Sequence, residues 1–235
     1  MTIAVIEAIL ANPSFASSTT AAVTFSATPS NGEFLLFLAT GQDSGAATFS
    51  MNNSVTSLAN DSGTDPPTWF FKKVASSEAG TTYTVTASVS LSWINLVGVR
   101  ISGADTTTPI DVSPVFANVV FSSPVNASSI TTVTNGALHF VGCVSKDNTA
   151  SDSLPSGYTS LAFPGTGNTL TAFYFPMLAV KAIATAGSTG AQAVSTANSV
   201  QETYSLAVRP ASSGAAFIAA PNHYYTPAIQ RASVR

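Results

Sequence analysis

Two stretches of this chain carry the same pattern. Asn31-Gly32 leads into Glu33-Phe34-Leu35-Leu36-Phe37-Leu38-Ala39-Thr40-Gly41, and Asn135-Gly136 leads into Ala137-Leu138-His139-Phe140-Val141-Gly142-Cys143-Val144. Asn-Gly is a strong tight-turn signal because both residues tolerate positive φ. The run after each turn is apolar at consecutive rather than alternate positions, as in a strand covered on both faces.

The similarity continues downstream of each copy. After the first come Trp69–Val74, a Ser/Gly turn at 76–80, and Thr82-Tyr83-Thr84-Val85-Thr86-Ala87. There Tyr83, Val85 and Ala87 face one way and the threonines the other, so that sheet has one wet face. Trp93–Ile101 closes the unit. After the second copy come Tyr158–Phe163, an aromatic strand around Phe173-Tyr174-Phe175, Ala193–Ser195 and Thr203–Arg209. Residues 2–10 and 19–28 read as strands before the first Asn-Gly, Ser54–Leu58 as a short strand after it, and Ser128–Val133 as the strand before the second. Residues 104–125, with Pro109, Pro114 and Pro124, read as a connector.

Many short strands between turn signals, with no helical period, make an all-β protein. The expected fold is a large antiparallel β-sandwich, jelly-roll-like, built from two duplicated halves. The halves span about residues 17–103 and 126–211 within a body of residues 1–211. A single sandwich is preferred over two stacked ones, because the apolar piece Val115–Phe121 joins the halves. Residues 212–235 differ: they are too short and proline-spaced for a domain, and too aromatic for a solvated tail. They read as an extended C-terminal arm, with Phe217, Ile218, His223, Tyr224, Tyr225, Ile229, Arg231 and Arg235 as partner-contact residues. Packing on a neighbouring subunit and packing back on its own body are both open.

Composition narrows the function classes. Apolar residues are 45 % of the chain and charged residues only 8 %, against roughly 25 % in an ordinary soluble domain. Ser, Thr and Asn supply the polarity, which suits a subunit packed among copies of itself better than a free monomer. The net charge of −3 gives no footprint for nucleic acid. No apolar run reaches the roughly 20 residues of a membrane span. Met1–Glu7 lacks a basic n-region, so synthesis in a cytoplasm without export is expected.

Residues with chemical potential are scattered. Cys143 stands alone in an apolar run and reads as a buried thiol. His139 lies on a strand without a Gly-x-Ser-x-Gly elbow, and reads as a packed or edge histidine. The acids, Asp43, Asp61, Asp65, Asp147, Asp152 and Glu202 among them, select no pair for glycosidic chemistry. Asn60–Asp65 has oxygen ligands at a spacing calcium could use, but lacks the further acids of a helix-loop-helix calcium site, and reads as an Asx-turn. No catalytic, cofactor or metal residues are assigned. Arg100 and Arg209 read as matched caps of the two sheet ends. Tyr158, after Pro155-Ser156-Gly157, is the aromatic best placed for glycan contact; the others read as core.

The order of these pieces resembles the jelly-roll-type β-sandwich domains of tailed-phage structural proteins: decoration, head-fibre and tail-adhesin types. Gly32 and Gly136 open the central strands, Trp69 and Tyr174 start the aromatic strands, and Gly157-Tyr158 marks the turn. The resemblance covers about residues 17–211. It implies a non-enzymatic part of the virion surface, made in the host cytoplasm, with other virion proteins and copies of itself as partners. The alternative it implies is an adhesin for host surface glycans. An enzyme acting on polysaccharide comes third.

Overall fold

The computed structural model describes residues 2–11, 17–42, 47–61, 66–118, 125–146, 154–162, 174–195 and 200–212. Among them every regular element is a strand, and every strand pairing is antiparallel. The first half runs β1 (Ala4–Leu10), β2 (Ser18–Thr24), β3 (Phe34–Gly41), β4 (Phe49–Met51), β5 (Thr56–Asp61), β6 (Thr68–Val74), β7 (Thr82–Leu91) and β8 (Ile94–Ser102). The second runs β9 (Ile110–Asn118), β10 (Val125–Ala127), β11 (Ala137–Lys146), β12 (Thr159–Ala162), β13 (Tyr174–Ile183), β14 (Gln192–Ser195) and β15 (Val200–Val208).

The two halves repeat one strand order. In the first, a five-stranded sheet β1-β8-β3-β6-β5 is backed by β2-β7-β4. In the second, the five-stranded sheet reads β9-β15-β11-β13-β12 and is backed by β10-β14. The Asn-Gly turns are tied by similar bonds in both. Gly32 N donates to Ala75 O at 2.9 Å and Gly136 N to Ile183 O at 2.8 Å. Asn31 Oδ1 accepts from Ser77 N at 2.6 Å, and Asn135 Oδ1 from Ala186 N at 2.8 Å. Gly32 has φ +85° and Gly136 φ +78°, a region that a Cβ disfavours.

Side-chain alternation sets how the sheets stack. On β3, Phe34, Leu36 and Leu38 point toward the second half, and Leu35, Phe37 and Ala39 toward β2, β7 and β4. On β11, Leu138, Phe140 and Val144 point toward the first half, and Val141 and Cys143 toward β10 and β14. The two five-stranded sheets therefore pack face to face, each covered outside by its smaller sheet. This is why both Asn-Gly strands are apolar on both faces. The expected antiparallel β-sandwich is present, as halves stacked through their larger sheets. Edge β1 lies by β12 and edge β5 by β9, which is the pairing an approximate twofold along the strands requires. At the Asn-Gly end the halves are tied by Asp105 N to Arg209 O at 2.9 Å and Ala211 N to Gly103 O at 2.8 Å.

Several local expectations change. Residues 110–118 are the edge strand β9, paired with β15, rather than part of a connector. Pro114 fits there because an edge strand need not donate on both sides and the ladder bulges beside it. β9 occupies the place in its sheet that β1 has in the first. The strand expected at Ser128–Val133 lies earlier, at Val125–Ala127, with an isolated bridge between Thr131 and Ser188. β4 is an addition to the strands expected from sequence. Arg100 and Arg209 do not match: Phe34 pairs with Ile101 and Leu138 with Val208, which aligns Arg100 with Ala207.

Candidate functional site

Tyr158 begins at a turn. Gly157 has φ +80°, and Tyr158 N donates to Pro155 O at 3.2 Å. The turn lays the half-buried ring against the outer core of the second half. Its hydroxyl lies 2.6 Å from His139 Nδ1, and His139 Nε2 lies 2.7 Å from Ser205 Oγ. Lys181 Nζ stands 5.4 Å from the centre of the Tyr158 ring. Burial, with the Lys181 charge beside it, lowers His139 to about 4; burial raises Tyr158 to about 12. All three groups are therefore neutral at pH 7 and form a hydrogen-bonded chain. His139 and Ser205 are fully buried, so this serine–histidine pair is closed to substrate. Tyr158, expected to be open, has its hydroxyl occupied by a histidine from β11.

The other end of the central interface holds a polar seam. Thr40 on β3 sits opposite Thr68 on β6 and Asn95 on β8, and Thr68 sits opposite Asp61 on β5. These residues share the face that carries Leu38, Phe70 and Val97 into the shared core. Glu202 meets them from β15, on the face of Tyr204 and Leu206. Glu202 is 0 % exposed. Neither of its oxygens, nor the Thr40 and Thr68 hydroxyls, has a hydrogen-bond partner among the described residues. Burial raises Glu202 to about 9; nearby Thr68 opposes this and nearby Asp61 adds to it. Asn118 on β9 donates to Asp61 Oδ2 at 3.3 Å and fixes that carboxylate at the rim.

The remaining described acids are engaged in structure. Glu33 holds Arg100 by two contacts, at 2.9 and 3.1 Å, and Glu7 holds it at 3.1 Å. Burial would push Glu78 up, but bonds from Lys73, Tyr83 and Ser76 N hold it below the usual carboxylate value. Asp111 accepts from Val133 N at 2.8 Å and from Arg209 Nε at 3.3 Å. Asp105 accepts from Thr107 N and Thr108 N, both at 2.8 Å, and these backbone bonds hold it below its usual value. A cleft of about 610 Å³ opens at the Asn-Gly end, lined by residues 30–33, 102–107, 211 and 212. Both acids on its wall, Glu33 and Asp105, are committed to these bonds, and Asp105 is shifted the wrong way for a general acid.

Among the described residues no group of three or more His, Cys, Asp or Glu side chains could hold a metal. Cys143 is buried. No helix among them is long and apolar enough to cross a membrane. The expected arm contacts Phe217, Ile218, His223, Tyr224, Tyr225, Ile229, Arg231 and Arg235 lie outside the described residues, as do Asp43, Asp65, Asp147, Asp152 and Phe173. No family model, curated protein or solved structure matches this chain. Sequence reasoning missed the seam: its residues come from separate strands, and only register unites them.

Proposed function

We propose that this chain is a non-enzymatic structural subunit on the surface of a tailed-phage particle, as a capsid decoration or tail component. It acts through contacts with copies of itself and with other virion proteins. We infer too that each half is a jelly-roll-type unit and that the halves are copies of one ancestor; the repeated strand order and the matching Asn-Gly bonds support this.

One observation carries the reading. Near residue 211 the second half is bonded back to the first, by the Ala104–Pro210 bridge and the Ala211–Gly103 bond. Ser212 lines the cleft at that end, and the aromatic, proline-spaced sequence of residues 213–235 follows it. The low charge and the engaged acids fit the same reading. The glycan-adhesin alternative rests on Tyr158, whose hydroxyl is already bonded within the protein.

Deletion of residues 212–235 is the test. The truncated protein should fold with an unchanged melting temperature yet fail to self-associate or join particles. Normal incorporation would refute the arm's role.

A further inference from the structure

The polar seam is built like a cation site. We propose that Glu202, Asp61 and Thr68 bind a hard divalent cation, Ca²⁺, between the two five-stranded sheets, and that the ion pins the halves together at the end opposite the Asn-Gly turns. This does not depend on the particle reading.

The donor set consists of oxygens: two carboxylates and a hydroxyl, the chemistry that Ca²⁺ takes and softer metals do not prefer. When the ion displaces the Glu202 proton, the two carboxylates supply two negative charges to one divalent ion. Glu202 is fully buried and turned into the seam; by donor–acceptor geometry neither its oxygens nor the buried Thr68 hydroxyl has a partner among the described residues, although Thr68 and Asp61 stand close enough to Glu202 to shift its proton. Buried polar atoms are normally satisfied, so these unsatisfied atoms point to something that completes them. Strand spacing decides membership. Adjacent strands lie about 4.8 Å apart, so Thr40, one strand from Thr68, is reached through a water, while Asn95, two strands away, is too far to join. Asp61 is half-buried on the edge strand β5, which gives the ion a route in, and its bond to Asn118 holds it in place. Ca²⁺ accepts irregular geometry and completes its shell with water; Mg²⁺ demands an octahedron that a three-residue rim does not provide.

The full chain, stripped with a chelator, should gain about 5–10 °C in melting temperature when CaCl₂ is added at a hundredfold excess over Kd. Added Tb³⁺ should luminesce when tryptophan is excited, since Trp69 and Trp93 flank the seam in sequence. Glu202→Gln and Asp61→Asn should each abolish both signals. Glu202→Gln is a neutral isostere, and it should melt no lower than the stripped wild type. An equal melting temperature with chelator and with CaCl₂ would overturn the proposal and leave the seam to water or a proton. Full Tb³⁺ luminescence in Glu202→Gln would also overturn it, by placing the ion elsewhere.

Discussion

Replacing Arg100 should be among the most destabilising polar changes in the first half. Its guanidinium makes two bonds to Glu33 at 2.9 and 3.1 Å, and one each to Glu7 and Ala27 O at 3.1 Å. It also stands 5.7 Å from the centre of the Phe25 ring. Arg100 is 5 % exposed and Glu33 9 %, so water cannot replace these contacts. Arg100→Met keeps the apolar stem and removes the charge, which strands two carboxylates. At 4 Å and an effective dielectric near 20 each lost attraction is about 4 kcal/mol before desolvation is counted. Breaking a buried pair from one side costs about 3–5 kcal/mol. For a chain of this size that lowers the melting temperature by roughly 6–20 °C. Equilibrium urea unfolding with thermal melts should show this loss, and about 1 M NaCl should leave it almost unchanged, because salt screens buried pairs weakly. Adding Glu33→Gln to Arg100→Met should restore part of it by removing one stranded charge. A loss below about 1 kcal/mol, the range of exposed pairs, would contradict this account, as would a double variant no more stable than the single.

Acid should weaken the protein through His139. The unfolded chain takes this proton near pH 6.5 and the folded one near 4, so stability is complete above the first value and is lost as pH falls to the second, about 3 kcal/mol in all; His139→Gln should flatten that acid limb in urea titrations. Gly32→Ala and Gly136→Ala should each cost roughly 1–2 kcal/mol, and a difference above about 1 kcal/mol between them would count against equivalence of the two turns. Gly142→Ala should cost more than about 4 kcal/mol, because a Cβ there would run into the Met177 carbonyl across the ladder; soluble protein with near-normal melting would contradict that packing.

Residues whose neighbours in sequence are also their neighbours in environment were legible. Phe34–Ala39 announces a strand covered on both faces, and Tyr83, Val85 and Ala87 announce a half-wet one; all of these side chains are buried. β9 was hidden by Pro109 and Pro114, because nothing local says that the strand lies at an edge where proline is tolerated. β4 is only Phe49-Ser50-Met51, too short for alternation to appear. His139 and Tyr158 could each be noticed, but their bond depends on how β11 and β13 carry the turn at Gly157. The seam was beyond reach, since a one-residue change of register on β6 or β15 would turn Thr68 or Glu202 to the other face.

The repeat supplies its own control for the seam. Counting from the matched positions Phe34 and Leu138, Thr40 corresponds to Val144, its partner Thr68 to Pro176, and its partner Asn95 to Glu202. The same place in the same sheet is thus built once from Thr40, Thr68 and Asn95, and once from Val144 and Pro176 around a carboxylate. The backbone does not demand polarity there, because the second half does without it at two of the three positions. Packing does not demand it either, because threonine and valine are nearly equal in size. Two buried hydroxyls and a buried carboxylate facing one another are expensive where apolar side chains would fit. A group that is costly, dispensable to the fold and surrounded by oxygens is what the proposed cation would account for. The asymmetry between the halves therefore fits the cation proposed at their shared interface, and an unchanged melting temperature on adding CaCl₂ to the stripped protein would leave it unexplained.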